Sequence, residues 1–351
     1  MRGSIRLFKI FNISINIHIT FLLLIALFIS AGIKSLVLIL SVFFFVTLHE
    51  LSHALVAKRF GIEVSDITLL PIGGVASMKG TPEKPIHEFL ISLAGPLFNV
   101  LVLVVFFLPL RYIFGPGFIY YPLSTVTWPL TIIYIYKINF FLAAFNLIPA
   151  FPMDGGRILR AILAQRIGYQ RATRIAVNFG HLFALLFAFL GIAVRFNIIW
   201  IAIAIFIYMA ASSEEMQVDI KETLKKIRVR DILSGDFLTV KNDTALSKVL
   251  ELIFHSRQED FPVMDNDAMV GFVTRQDIVA GIHKFGVEKR VGDIMRTDFP
   301  KLKDGDTLVA AHALMQEASL NALPVMKDGR VIGVVTLEDI GRVYSVVHQS
   351  T

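Results

Sequence analysis

Five residues early in the chain, His49-Glu50-Leu51-Ser52-His53, have the types and spacing of a metal-assisted hydrolysis site. On a helix, positions i and i+4 lie one above the other on a single face, so His49 and His53 would aim at a common point. Two imidazoles so placed can hold one zinc ion, with Glu50 beside them to take a proton from the attacking water. The setting sharpens this reading. Ser41-Val-Phe-Phe-Phe-Val-Thr-Leu48 runs into the five residues, and apolar residues follow almost to Lys58-Arg59. Three ionisable groups in so apolar a helix are costly without compensating partners, and in a membrane such groups mark function. The plainer alternative is a pair of core histidines with satisfied hydrogen bonds.

A second polar stretch lies about a hundred residues on: Asn146-Leu-Ile-Pro-Ala-Phe-Pro-Met-Asp-Gly-Gly-Arg157. Pro149, Pro152 and Gly155-Gly156 make a continuous helix improbable, so the chain should break and leave Asp154 in irregular structure near the membrane. A catalytic zinc commonly takes three protein ligands and keeps a fourth position open. His49, His53 and Asp154 supply two nitrogens and one oxygen, which leaves Glu50 free as the base. Asn146 could donate to the oxyanion of a tetrahedral intermediate or pin a substrate backbone; the alternative is a helix-terminal cap. Arg157 and Arg160 read as headgroup anchors rather than catalysts. His18 and His181 could reach the cavity as further polar groups, against the plainer reading of satisfied core histidines.

The elements that must position these groups belong to a membrane. Hydrophobic residues make up 55% of the 351 and charged ones 18%, and the mean hydropathy is +0.67. Six apolar spans, at about 15–33, 36–57, 86–110, 124–148, 175–195 and 197–213, are each near the length that crosses roughly 30 Å of hydrocarbon. Residues 1–14, with Arg2, Arg6 and Lys9, form a basic amphipathic lead-in, and the first span reads as retained rather than as a cleaved signal. Between spans two and three, Asp66 to Met78 is too short to cross; two apolar segments around Pro71-Ile-Gly-Gly74 predict a small membrane-associated β-hairpin. It would line a cavity and offer an edge to an extended substrate, or else lie on the surface. Ala94-Gly95-Pro96 in span three predicts a kink and close helix packing. Lys137, inside span four, calls for snorkelling or a buried partner.

Charge follows the same division. Residues 1–227 hold 19 Lys and Arg against 10 Asp and Glu, while residues 228–351 hold 15 against 18. The basic residues flank apolar spans: twelve lie in loops on one side and three (Lys34, Arg111, Arg195) on the other. That bias predicts a cytoplasmic N-terminus, a cytoplasmic end for span two and a cytoplasmic C-terminal domain, and it explains the basic balance without nucleic acid. With no cysteine, disulfides and thiolate ligands are excluded.

Residues 214–227 form a charged connector, and an internal repeat follows over 228–351. Phe261-Pro-Val-Met264 and Leu323-Pro-Val-Met326 correspond, as do Val270-Gly-Phe-Val-Thr-Arg-Gln-Asp277 and Ile332-Gly-Val-Val-Thr-Leu-Glu-Asp339, 62 residues apart. Each copy has strand-helix-strand-strand-helix character, and two copies would bury their apolar faces on each other.

The pairing of His-Glu-x-x-His with Asn-x-x-Pro-x-x-Pro-x-Asp-Gly resembles the site-2 protease family, as do Pro-Ile-Gly-Gly and Ala-Gly-Pro. The resemblance covers the membrane half, 1–213. It implies an intramembrane zinc endopeptidase that cuts membrane-spanning segments of regulatory proteins. His49, His53 and Asp154 would hold one zinc per chain, Glu50 would activate water and Asn146 would assist at the substrate. The repeat is similar to a pair of CBS domains, which implies an adenine nucleotide bound near Thr274, Asp277, Thr336 and Asp339. The alternative is that these residues only cap the helices that follow them. A homodimer through the CBS pair is also implied. The expected fold is thus a polytopic α-helical membrane protein of about six spans plus a cytoplasmic α/β tandem CBS domain, in the cell membrane. A CBS-regulated transporter or channel is the alternative from another class. A protease homologue that binds membrane partners without cutting them is a third, against which the intact Glu50 and ligand set argue.

Overall fold

The structure, a computed structural model, describes residues 3–71, 73–80, 82, 84–121, 130–194, 196–233, 237–256, 258–266 and 268–349. Arg2 and Arg195, counted in the charge bias, and the start of the fourth span, residues 124–129, lie outside the described residues, as does Ile72 of the predicted hairpin. The chain falls into two compact units, residues 1–216 and 217–351.

The first unit opens with strands β1 (Ser4–Ile10) and β2 (Ile13–His18), followed by helices α1 (Ile19–Ser30) and α2 (Ile33–Arg59). Strands β3 (Glu63–Leu70) and β4 (Gly73–Lys79) then complete a four-stranded sheet of order β1-β2-β3-β4. Five helices follow: α3 (Pro85–Phe114), α4 (Thr131–Asn146), α5 (Asp154–Ile167), α6 (Tyr169–Ala193) and α7 (Ile198–Lys226). Among the described residues, α2, α3, α6 and α7 are long and apolar enough to cross a membrane, and α1 and α4 are shorter apolar helices.

The predicted hairpin is β3–β4, but it belongs to a larger sheet. The lead-in and the first residues of the first predicted span are strands, closed by a two-residue turn at Phe11-Asn12 with both φ positive, the geometry that suits a right-twisted hairpin. β2 pairs in parallel with β3, Ser14 opposite Asp66 and Ile17 opposite Leu69. The inner face of the sheet (Ile13, Ile15, Val64, Ile67) packs on Leu51, Ala54 and Ala57 of α2 and on Ile91 of α3. The small side chains of α2 at 54 and 57 let the sheet approach the turns that carry the two histidines. α3 runs unbroken through Pro96. Lys137 is half-buried and donates to the carbonyl of Tyr121 at 2.6 Å, which supplies its missing partner.

The second unit contains the repeat as expected. Its first copy is β5 (Val240–Lys241), α8 (Leu246–His255), β6 (Phe261–Asp265), β7 (Ala268–Val273) and α9 (Arg275–Phe285). The second is β8 (Leu302–Lys303), α10 (Leu308–Ala318), β9 (Ala322–Lys327), β10 (Arg330–Thr336) and α11 (Leu337–Gln349). Each copy forms a three-stranded sheet with its short first strand parallel to the next. The predicted connector is helical over residues 214–226, as the end of α7, and Leu224 lies in the core of the second copy with Leu302, Leu308 and Val325.

Candidate metal centre

α2 places His49 and His53 on one face, both buried. Their rings meet edge-on with centroids 4.7 Å apart, and their Nε2 atoms are 3.1 Å apart. Asp154 Oδ2 lies 3.1 Å from His49 Nε2 and 3.2 Å from His53 Nε2. Three ligand atoms at the corners of a tetrahedron around a zinc with bonds of 2.0–2.1 Å would be about 3.3 Å apart. The triangle therefore has the size of one face of a single-ion site, and its two nitrogens and one carboxylate oxygen suit zinc. These three residues form a group able to hold a metal ion.

A chain of fixed hydrogen bonds sets the tautomers. The Ile135 carbonyl can only accept, so it takes a proton from Asn139 Nδ2 at 3.0 Å. Asn139 Oδ1 then accepts from Asn99 Nδ2 at 2.8 Å, which turns Asn99 Oδ1 toward His49 Nδ1 at 2.5 Å. His49 Nδ1 must therefore donate, and its Nε2 lone pair is left for the metal. His53 reaches the same state more simply, because its Nδ1 faces the Ile91 carbonyl at 2.6 Å. Asn99 and Asn139 are both fully buried. Neither stood out in the sequence; the available signal was two amides in otherwise apolar helices, one of them four residues after Gly95.

Gly95 has a specific task. A Cβ there would lie 2.6 Å from His49 Nε2 and still closer to His53 Nε2. The Ala-Gly-Pro stretch thus allows α3 to lie directly over the ligand nitrogens. Gly74, at the start of β4, does the same for the base: a Cβ there would meet Glu50 Cγ at 2.6 Å. The half-buried Glu50 makes no side-chain hydrogen bond among the described residues, so its carboxylate is available to a water.

Asp154 is not in irregular structure. It is the first residue of α5, and the break occupies residues 147–153 before it. Gly155 and Gly156 allow that break to fold back on the helix, since a Cβ on either would collide with the backbone of 147–151. Asn146 ends α4, half-buried, and makes no hydrogen bond to the triad. His18 caps α1, with Nδ1 2.8 Å from Thr20 Oγ1. His181 Nε2 lies 3.0 Å from Ser212 Oγ, and its ring stacks on Tyr208. Neither histidine contacts the triad. Arg160 corrects the sequence reading, because it is a buried group paired with Glu88 rather than a headgroup anchor.

In the second unit, Thr274 and Asp277 form a capping box at the start of α9. Asp339 Oδ2 accepts from Thr336 N at 3.0 Å and from Thr336 Oγ1 at 2.7 Å, the same arrangement on α11. Asp277 is additionally gripped by Arg296, with Nε to Oδ2 and Nη2 to Oδ1 both 2.9 Å. Burial pushes the Asp277 carboxyl up, but the Arg296 and Thr274 donors outweigh it and hold it below the ordinary carboxylate range. A cleft of about 750 Å³ is lined by Asp260, Thr274, Arg275 and His283 of the first copy and by Ser319 and Asn321 of the second. Thr274 alone of the four expected nucleotide residues lines it.

Residues 37–128 and 122–187 match peptidase family M50, and residues 229–284 and 291–345 match the CBS domain. A zinc metalloprotease of Methanocaldococcus jannaschii is 35% identical over 352 residues, covering 99% of this chain and 98% of its own. The solved site-2 protease from the same organism is 40% identical, covering 60% of this chain and 95% of its own, with a TM-score of 0.46. A CBS domain pair solved in complex with 5′-methylthioadenosine and S-adenosyl-L-methionine is 24% identical over 34% of this chain and 97% of its own, with a TM-score of 0.33.

Proposed function

The chain belongs to peptidase family M50, the site-2 protease type of zinc metalloprotease, and we propose from that premise that it is an intramembrane endopeptidase cutting membrane-spanning segments of regulatory proteins. Membership puts a metalloprotease in place of the transporter alternative. The observation that carries the proposal is the triangle of His49 Nε2, His53 Nε2 and Asp154 Oδ2, with Glu50, which makes no side-chain hydrogen bond among the described residues, next in the chain to His49.

A zinc ion held by that triangle would supply Lewis acidity to the scissile carbonyl and to an attacking water. Glu50 takes a proton from that water and returns it to the leaving amine nitrogen. Asn99 and the Ile91 carbonyl keep both imidazoles in the ligand tautomer throughout. Asn146, at the head of the break and with no side-chain hydrogen bond among the described residues, braces the substrate backbone or the oxyanion. A substrate helix must unwind locally, because its carbonyls are otherwise occupied by hydrogen bonds. β4 is an edge of its sheet and begins against Glu50, so it offers the unwound segment a strand to pair with.

The N-terminus and the CBS pair lie on the cytoplasmic side of the cell membrane in this reading, as the loop charges favour. The cleft of the CBS pair takes an adenine nucleotide, with His283 and Arg275, the latter released from Glu259, turned to phosphate and the second oxygen of Asp260 to ribose hydroxyls, and its occupancy regulates cleavage. Thr274, Asp277, Thr336 and Asp339 serve that site mainly by fixing the starts of α9 and α11. The CBS pair also forms the contact of a homodimer.

The test is cleavage of a single-span membrane substrate by the full chain in detergent, comparing the native protein with Glu50→Gln, with and without a zinc chelator. Product from the native protein alone, lost on chelation, is expected. Undiminished cleavage by Glu50→Gln, or indifference to chelation, would overturn the assignment.

A further inference from the structure

Asp154 opens α5, and six residues along the same helix Arg160 is only 4% exposed. A guanidinium removed from water must be paired, so its partners indicate its task. Nε and Nη2 both donate to Glu88 Oε1 in the first turn of α3, the former at 2.8 Å. Nη1 reaches Glu214 Oε2 on α7 at 3.4 Å. One turn nearer the metal centre, Arg157 Nη2 donates to Glu214 Oε1 at 2.6 Å. The Arg160 guanidinium lies over the rings of Phe151 and Tyr169, 4.7 Å from each ring centre. Phe151 belongs to the break before Asp154, and its N–H donates to the Ala176 carbonyl of α6 at 3.2 Å.

These contacts join α5, which carries Asp154, to α3, which holds the imidazoles carried by α2. α5 contributes Asp154. α3 contributes Gly95 over the ligand nitrogens, Asn99 to His49 and the Ile91 carbonyl to His53; Glu88 precedes Ile91 by one turn on that helix. Two arginines face two glutamates, so the cluster is balanced in charge. Buried ion pairs add little net stability compared with well-packed apolar residues of similar volume, and in some proteins they instead serve to fix one geometry. Glu214 brings α7 into the same link, just before the second unit begins at Gln217.

We propose that Arg160 is a positioning residue for the metal centre: clamped by Glu88 and Glu214, it holds Asp154 in place against the two imidazoles. The inference rests on the assignment of zinc to His49, His53 and Asp154. Loosening the clamp lets α5 shift against α3, opens the triangle and weakens metal binding without touching a ligand.

The probe is Co²⁺, which reports both affinity and ligand geometry through its visible absorption, bound to the metal-stripped full chain in detergent. The main variant is Arg160→Met combined with Glu88→Gln, which removes both charges and keeps the volume. Loss of a supporting hydrogen bond around a metal site typically costs about 10–100-fold in affinity; about tenfold weaker Co²⁺ binding with a changed spectrum is expected, at unchanged helical content. Native affinity and spectrum in the folded double variant would overturn the proposal. If the double variant does not fold, Glu88→Gln combined with Glu214→Gln decides, since it removes the charge of both partners and keeps Arg160: weaker Co²⁺ binding supports the proposal and native binding overturns it. Asp154→Asn separates this inference from the site assignment. If that variant gives the native Co²⁺ spectrum, the ligand assignment fails and the positioning role fails with it. If Asp154→Asn alters the spectrum while the Arg160 and Glu214 variants do not, only the positioning role fails.

Discussion

Gly95→Ala isolates the geometry of the metal centre from the stability of the helix that covers it. In a helix interior the change from glycine to alanine favours the helix by about 1 kcal/mol, so α3 gains by propensity. The added Cβ nevertheless falls 2.6 Å from His49 Nε2 and 2.7 Å from His49 Cε1, and nearer still to His53 Nε2. Ordinary contact begins at 3.4 Å, so the His49 ring must retreat by roughly 0.8 Å, against a tolerance in metal–ligand distance of about 0.2 Å. The rings cannot retreat freely, because Asn99 Oδ1 and the Ile91 carbonyl hold their far sides at 2.5 and 2.6 Å. Either the rings turn and lose those acceptors, or α3 lifts away from α2 and widens the site. Both weaken the metal, and two ligands are displaced together, so the expected loss of affinity is at least 100-fold. The assay is zinc content per chain after purification, followed by Co²⁺ titration of the stripped protein, with helical content and thermal unfolding measured alongside. A protein that unfolds at or above the native temperature, carries well under one zinc and cleaves nothing is the expected result. Full zinc occupancy with native cleavage would refute the reasoning, since it would mean that the ligand nitrogens are not where α3 presses.

Two further perturbations act elsewhere. Gly74→Ala should leave zinc content native and lower cleavage at least tenfold, because its Cβ meets Glu50 Cγ at 2.6 Å and no ligand; equal loss of zinc and activity would show that the hairpin serves the metal rather than the base. In the second unit, the folded pKa of Asp277 lies below the unfolded value of about 3.9, so its stabilising contribution is present above that pH and is lost as pH falls through the folded value. Asp277→Asn should therefore lower stability at neutral pH and flatten its decline in acid, read by calorimetry of the full chain from pH 3 to 7. Parallel pH profiles for the two proteins would count against the Arg296 clamp.

What could be read from the chain and what could not divides along one physical line. His49, Glu50, His53 and Asp154 were legible because they are ionisable groups in apolar surroundings, where the cost of burial itself is the signal. Asn99 and Asn139 are also buried polar groups, but an uncharged amide in a membrane helix is cheaper and belongs to no spacing rule. Arg160 was misread because counting loop charges treats each arginine as solvated, and its partner Glu88 lies 72 residues away. The strands of residues 4–18 were hidden for a different reason. A hydropathy window averages over a length that cannot separate the two-residue period of Ile13, Ile15 and Ile17 from the apolar helix that follows. Asp154 was placed in a loop because the prolines and glycines mark a break; they do not say on which side of it the next helix starts.

The sheet and the break serve the same need, and the depth of the site explains why. From Arg59, at the basic end of α2, to His49 is ten residues, or about 15 Å at 1.5 Å per residue. That is roughly half of a 30 Å hydrocarbon core, so in the proposed intramembrane reaction a peptide bond at the triangle would meet water only where the protein admits it. Irregular backbone and open strand edges are tolerated at such depth only against protein or a water-filled cavity. Here both kinds of backbone adjoin the site. Residues 147–153 precede Asp154, and β4 starts against Glu50. A tightly closed helical bundle would have buried the histidines equally well but left no backbone for an unwound substrate to pair with and no room for water. In the proposed reaction the sheet edge would therefore take part by pairing with the unwound substrate. Gly74, where a Cβ would lie 2.6 Å from Glu50 Cγ, would then set how closely a peptide paired to β4 could approach the proposed base.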